Sequence, residues 1–396
     1  MPPANSLEPT VRQNAEMRAL LAAKRIWQIL RPYSQGLLIL LLPLSLLLTE
    51  WAAQYPTAVE RLYSRGVYRV FTEVLGRVFG LFPFSVAELA LYGLIVIGLL
   101  WLTVHISRLV RLKDIATRLP RMLATLCCVV GVGYFLFTLF CGLNYHRVTF
   151  ADQSGLEVRP SSVEELAALY QELVETANNV RQQVISNHLG EMVLSQDSYH
   201  EAGALAAQAM HRLSERYPFL KGFTPRAKPV KLSRLMSVID ITGIYIPFTF
   251  EGNVNVDVPD YYIPFSMIHE LAHFKGFMRE DEANFIAHLG CREMDDPAFQ
   301  YSGTVLALIH SGNALYRVDP DLYFSLSAQL SEEVRRDFAA GSAYWQQFEG
   351  PVAEAAGKIN DSYLKANRQV EGVQSYGRMV DLLLADYRAR HATDNA

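Results

Sequence analysis

Cysteine is scarce in this chain, with four residues in 396. Cys127, Cys128 and Cys141 fall in one apolar run, and Cys291 stands alone outside it. A single cysteine there has no intramolecular partner, so the downstream domain must be held by its core rather than by disulfides. The same count excludes a Cys₂His₂ structural zinc site. Charge is also sparse, at 19% of residues, while 51% are hydrophobic, which is apolar for a soluble protein. A formal charge of −4 gives no global basic field, and nucleic acid is excluded as a partner. An early apolar segment with a small-residue cleavage site is missing too, so no cleaved signal peptide is expected. The chain shows no internal repeat and no low-complexity segment.

What is abundant is long apolar runs near the N-terminus. Between Arg31 and Glu50 the chain is uncharged and dominated by "LLILLLPLSLLL"; a second run, "LALYGLIVIGLLWLTVHIS", lies between Glu88 and Arg108. The third, "MLATLCCVVGVGYFLFTLFCGLNYH", lies between Arg121 and Arg147. A membrane-spanning helix needs roughly 20 apolar residues at 1.5 Å rise each. The second and third runs meet that length; the first is slightly short and carries Pro43, and any of the three could instead be a buried core helix. Three transmembrane helices are expected, at about 33–50, 88–107 and 122–145. The loop "RLVRLKDIATRLPR" holds Arg108, Arg111, Lys113, Arg118 and Arg121 against one Asp114, which makes it cytoplasmic by the positive-inside rule. Arg12, Arg18, Lys24, Arg25 and Arg31 agree with a cytoplasmic N-terminus.

The expected organisation is a cytoplasmic segment (1–31), a membrane domain (32–147) and an extracytoplasmic domain (148–396), in a bacterial cytoplasmic membrane with the lipid bilayer as a partner. Between the first two spans, about 57–81, apolar positions at Val59, Leu62, Tyr63, Val67, Val70, Val74 and Val78 accompany charges at Arg61, Arg65, Arg69, Glu73 and Arg77. That is an amphipathic helix, which could lie in the outer interface or pack its apolar face on the outer domain.

The outer domain opens with "PSSVEEL", where Ser162 and Glu165 have the spacing of a capping box. Helical patterning covers Val163–Ser186 and "YHEAGALAAQAMHRLSERY". "GIYIPFTFEGNVNVDV" (243–258) is rich in β-branched and aromatic residues and reads as one or two strands. After Pro264 the chain reads helical, with breaks near Asp295–Pro297, Asp319–Pro320, Gly350–Pro351 and Gly372. The strand region sits in sequence where a sheet edge could hold an extended peptide by main-chain pairing, or could simply pack under the helices.

The stretch "HELAHFKGFMREDEANFIAH" follows. His269 and His273 are four apart, so a helix projects both from one face, as two imidazoles for one Zn²⁺. Glu270 is rotated about 100° from His269. That places it beside the metal as a general base for activated water. Gly276 can end the helix, and Glu280, Asp281 and Glu282 suit the N-terminus of the next. Glu280 would be the third ligand, with Asp281 or Glu282 as alternatives, and Asn284, one turn on, could hydrogen-bond a ligating imidazole. His288 continues that face as a packing residue. The remaining histidines (His146, His188, His200, His211, His310, His391) default to surface or packing roles. Tyr376, Arg378, His310 and Tyr316 are candidate donors to a transition state, and no local spacing selects among them.

"HELAHFKGFMREDEANFIA" resembles the core of a bacterial membrane-protein family catalogued as a domain of unknown function. The likeness extends to "PFSVAELALYG", "GLNYHR", "ITGIYIPF", "NVNVD" and "SYGRMVDLLL". That resemblance implies a zinc-binding, membrane-anchored protein. More distantly the site is similar to the gluzincin metallopeptidases, with Glu280 at the ligand position and Asn284 where they carry an aspartate. It is also similar to the metzincin HExxHxxG, but Arg279 stands where the third histidine would be. The fold expected is mainly α, three transmembrane helices followed by a zincin-like α+β domain with a small sheet beside the HExxH helix. The function expected is a zinc-dependent metallohydrolase, a peptidase on peptide or protein substrates. The alternative is a non-catalytic zinc-containing sensor or scaffold.

Overall fold

The computed structural model describes residues 38, 40–110, 115–194, 198–367 and 378–393. They divide into two compact units, one within 1–50 and 98–138 and the other within 51–97 and 139–396.

Among the described residues the first helix is α1 (Leu41–Gln54); after Tyr55 a helical stretch from Pro56, π-helical over Val59–Val67, leads into α2 (Tyr68–Gly80). Then come the two long apolar helices α3 (Val86–Val110) and α4 (Ile115–Phe140). Within these, Val86–Ser107 and Met122–Phe140 are long and apolar enough to cross a membrane, with 0% and 17% of the apolar window buried. Helices of this length and apolarity, with so little protein cover, could span a membrane.

Among the described residues there are two such helices, not the three expected. The first run is described as helix only over the 14 residues of α1, short of the ~20 a bilayer core requires, and most of 33–40 lies outside the described residues. The last run also ends earlier than 145. After Phe140 the chain tightens into a 3₁₀ turn, Gly142–His146, whose first four residues are buried in the second unit. Asn144, Tyr145 and Arg147 find hydrogen-bond partners there that lipid does not offer.

The second unit is helical around a small sheet. Helices α5 (Val163–Arg181) and α6 (Tyr199–Arg216) precede strands β1 (Lys228–Pro229), β2 (Gly243–Ile246) and β3 (Glu251–Val254). The Ser162–Glu165 capping box is formed, while α5 stops at Arg181 rather than Ser186. The strand order is β1-β3-β2, with β1 parallel and β2 antiparallel to β3. The sequence gives no sign of β1, because two residues are too few for a periodic pattern. Next come α7 (Ile263–Phe274), α8 (Glu280–Arg292), α9 (Pro297–Val318), α10 (Glu332–Gln346), α11 (Pro351–Ala366) and α12 (Met379–Thr393). The expected breaks coincide with helix starts at Pro297, Pro320 and Pro351; Gly372 lies outside the described residues.

Helix α7 lies at the centre, packed by α6, α8, α9, β2 and β3. Every one of its residues is buried except His269, as expected of a helix enclosed by other elements. Helix α2 turns its Tyr68, Thr72 and Gly76 face inward; a Cβ on Gly76 would clash with the Phe274 ring. Its apolar positions divide: Val70, Val74 and Val78 are exposed, while Phe71, Leu75 and Phe79 are half-buried, Phe71 against the Phe140 ring.

Glu251 joins the sheet to the start of α3. Its carboxylate accepts hydrogen bonds from Val86 N (3.1 Å) and Ala87 N (2.7 Å) and pairs with Lys228, which also donates to the Phe79 carbonyl. Charge at a helix N-terminus is favourable because the first amides have no partner in the helix.

A second buried cluster centres on Asp337 of α10. It accepts from Arg181 Nε (2.6 Å), the Tyr301 hydroxyl (2.6 Å) and Met192 N (2.8 Å), and both Arg181 and Asp337 are buried. Removing one partner strands the other charge, a loss of about 3–5 kcal/mol. Asp337→Ala is therefore expected to lower the melting temperature of the detergent-purified chain by several degrees more than the exposed Glu333→Ala. Equal shifts would show that Asp337 does not hold α5 to α10.

Candidate metal centre

The site is built on one helix, one reversal and the start of a second helix. α7 ends in a Schellman turn: Phe277 N donates to the Ala272 carbonyl (3.1 Å) and Gly276 N to the His273 carbonyl (2.8 Å). Gly276 has φ +85°, and a Cβ there would sit 3.2 Å from Asn144 and Arg147. The "GLNYHR" segment clasps this turn. Arg147 donates to the Lys275 carbonyl (3.0 Å), lies over the Phe277 ring (3.9 Å) and is paired in the interior with Glu60 (2.9 Å). The Tyr68 hydroxyl lies within hydrogen-bond distance of the His273 and Phe274 carbonyls (3.3 and 3.2 Å).

The reversal brings Glu280, first residue of α8, back to α7. His269 Nε2 lies 3.2 Å and His273 Nε2 3.6 Å from the Glu280 carboxylate. Ligand atoms of the three residues all fall within 4.8 Å of one another, a spacing one metal ion can bridge. The three side chains are 13%, 10% and 14% exposed, so the cluster opens to solvent on one side.

Both rings are oriented from behind. His273 Nδ1–H donates to the Phe277 carbonyl (2.7 Å), and His269 Nδ1–H donates to Asn284 Oδ1 (2.7 Å). A carbonyl oxygen can only accept, so each Nδ1 carries hydrogen and each Nε2 faces Glu280 as the donor atom for a cation.

Glu282 is used elsewhere: it accepts from Phe150 N (2.7 Å) and pairs with Arg279 (3.3 Å). Asp281 lies in the field of Arg279 and Arg378. Of the three acidic residues, Glu280 is the one beside the histidines. His288 is buried, its Nδ1 on the Gly303 carbonyl (3.1 Å). His310 is half-buried, near enough to feel the charge of His269, whereas Tyr316 packs among Tyr323 and Phe324 and is half exposed. Tyr376 lies outside the described residues.

Glu270 lies in a niche made by the sheet. A Cβ on Gly243 of β2 would collide with its Oε1, and one on Gly252 of β3 would stand 2.8 Å from its Cβ. Its Oε2 is buried with no hydrogen-bond partner among the described residues. Burial pushes its carboxyl up to about 8, against the pull of His269. Burial pulls His269 down, but the hydrogen bond and charge of Glu280 outweigh it and raise the ring to about 9. Burial holds His273 down at about 4. The two glycines were not singled out from the sequence, although "ITGIYIPF" and "EGN" contain them. Tyr145 and Tyr363 were also missed; their hydroxyls meet at 3.0 Å and both lie in the field of Glu280.

The chain matches the family model described as a protein of unknown function, DUF3810, over residues 63–384. It belongs to the DUF3810 family. No curated protein and no solved structure matches it. The DUF3810 match runs from the π-helical stretch before α2 into α12, and so takes in both apolar helices, the sheet and the whole cluster.

The donor set suits a divalent cation of the zinc kind: two imidazoles with fixed tautomers and one carboxylate. His269 is protonated below about 9, and a cation on its ring must displace that proton. His273 is already neutral at pH 7. Zn²⁺ affinity of the purified chain is therefore expected to rise from pH 6 to 8, with between one and two protons released per ion, one from His269 and up to one from Glu270. Calorimetry in two buffers of different protonation enthalpy measures that number. An affinity that does not change over this range would show that no proton is displaced from His269.

Proposed function

We propose that this protein is a membrane-anchored zinc metallohydrolase acting on peptide bonds, with His269, His273 and Glu280 as metal ligands and Glu270 as general base. The observation that carries this reading is Glu270 itself. A buried carboxylate with an unpartnered oxygen costs several kcal/mol. Here that cost falls beside a group of three donor atoms that has an open side. A purely structural site has no use for such a group, since closed coordination is what it needs.

When bound, zinc supplies Lewis-acid polarisation of a carbonyl and lowers the pKa of water. The chain's own residues do the rest. Glu270, raised to about 8 by burial, is poised to take and return one proton near neutral pH, and a divalent charge beside it favours its carboxylate form. Asn284 and the Phe277 carbonyl hold the two rings in one tautomer. An amide at Asn284 gives His269 orientation without the negative charge a carboxylate would add. Half-buried His310, whose imidazole is held neutral by desolvation, and the phenols of buried Tyr145 and partly exposed Tyr363 supply hydrogen-bond donors around the ligand set.

A peptide substrate fits the sheet. β2 is one of its two edge strands in the order β1-β3-β2, and its Gly243 lies against Glu270. An extended chain paired along β2 would bring its carbonyls past the base. The side of the membrane follows from the loop between the two spans. Those spans return the chain to the side it left, so residues 51–85 and 141–396 share one face. The basic composition of residues 108–121 supports a cytoplasmic loop by the positive-inside rule, and with it a domain on the outer side. That conclusion does not depend on a span before α1.

Zinc analysis and peptide-library cleavage by the full chain test the proposal. Glu270→Gln is expected to keep stoichiometric zinc and lose at least about 10²-fold in cleavage rate. Glu280→Ala is expected to lose the metal. Zinc binding with no cleavage that depends on Glu270 would favour the non-catalytic sensor or scaffold instead. Gly243→Ala forces the carboxylate aside, and is expected to retain zinc while cleavage falls at least about tenfold; an unchanged rate would show that the niche does not position Glu270.

A further inference from the structure

Beyond the metal cluster, the second unit contains a cleft of about 120 Å³ walled by α2 and the π-helical stretch before it, the Pro218–Phe223 turn, and the end of α7. Five basic side chains line it, Arg65, Arg69, Arg147, Lys221 and Lys275, and no acidic one. Three of them are engaged: Arg147 and Arg65 by Glu60, and Lys275 by the Gly222 and Phe223 carbonyls. Arg69 and Lys221 are exposed and make no hydrogen bond or ion pair among the described residues. A second carboxylate beside the cleft, Glu73, is taken by Phe223 N (2.8 Å) and Arg77 (2.8 Å). The cleft is thus an excess of positive charge with donors facing outward, a setting that favours a phosphate oxyanion.

The helix that supplies Arg69 says where the phosphate comes from. Val70, Val74, Val78 and Leu81 are 60%, 56%, 47% and 81% exposed and recur at one-turn spacing, an apolar stripe beside the basic row. Residues 69 and 70 are about 100° apart on the helix, so Arg69 flanks the stripe. Five residues beyond Leu81 the chain enters α3, whose apolar window has none of its residues buried. An amphipathic helix joined to a membrane-crossing helix, apolar on one side and cationic on the next, lies at the bilayer surface.

We propose that the cleft binds the phosphate of an anionic phospholipid headgroup, through Arg69 and Lys221, while the lipid's acyl chains run along the Val70–Leu81 stripe. The site is separate from the metal cluster and does not depend on the protein being a hydrolase.

The test uses the full chain purified in detergent, titrated with phosphatidylglycerol, phosphatidylcholine or inorganic phosphate, and followed by native mass spectrometry and melting temperature. Phosphatidylglycerol is expected to bind at least tenfold more tightly than phosphatidylcholine, less so at high salt, and to raise the melting temperature. Arg69→Glu and Lys221→Glu are each expected to weaken it at least tenfold, whereas Arg335→Glu, a cation on α10, leaves it unchanged. Lys221 is on an exposed turn, so its variant tests the site without risk to folding. Equal binding of the two lipids, or wild-type binding by Lys221→Glu, would overturn the proposal. Inorganic phosphate bound as tightly as the lipid would assign the cleft to a soluble anion and overturn the bilayer source.

Discussion

Between His273 and Glu280 the chain has six residues in which to end one helix, reverse and start another. Everything at the metal cluster depends on the shape of that reversal. A Schellman turn uses the left-handed freedom of Gly276 to fold Phe277 back under α7, where its carbonyl meets the His273 ring. The same turn that stops the helix therefore orients a ligand. Such a short loop would be too mobile alone, and the surroundings hold it: Arg147 on the Lys275 carbonyl, Tyr68 on the last carbonyls of α7, and Glu282 on the Phe150 amide. Glu60 neutralises Arg147 in the interior, which makes a residue of the helical stretch before α2 part of the support for a site far along the chain.

The sheet has an equally local task. Three short strands contribute little area, but two of their glycines make the only shape into which the Glu270 side chain fits. Close packing of this kind raises the carboxyl's proton affinity chiefly through lost solvation, with the charge of Glu280 adding to it. β3 is buried along its whole length, unlike a strand with one wet face.

Much of the site was legible because it is local. His269, Glu270 and His273 follow from helical spacing alone, and Asn284 follows from being one turn past Glu280. Choosing Glu280 over Glu282 needed three dimensions, since what removes Glu282 is an amide at Phe150, more than a hundred residues earlier. The role of Gly243 and Gly252 was hidden for the same reason, as nothing in "ITGIY" says which side chain will press on it. The helical content was readable from periodicity and the helix starts from Asp-Pro and Gly-Pro pairs. The strand region was readable from composition, but not its end: β3 stops at Val254, and 255–258 lie beyond it. Apolar length overestimated the membrane part at both ends: α1 is too short as described, and "GLNYHR" looks like the tail of a span while it is in fact a buried clasp. Hydropathy cannot tell lipid from protein as the cover for an apolar residue.

Glu251 gives the architecture an order of assembly. Its carboxylate holds the first amides of α3, and its neighbour Gly252 lies against Glu270. The stretch 59–80 is likewise synthesised before both apolar helices, yet its inward face is covered by residues near 147, 223 and 274. During synthesis that face has no partner until the chain beyond both apolar helices has been made. One short strand therefore serves two ends of the unit at once: Glu251 holds the first amides of α3, and Gly252 shapes the niche of Glu270.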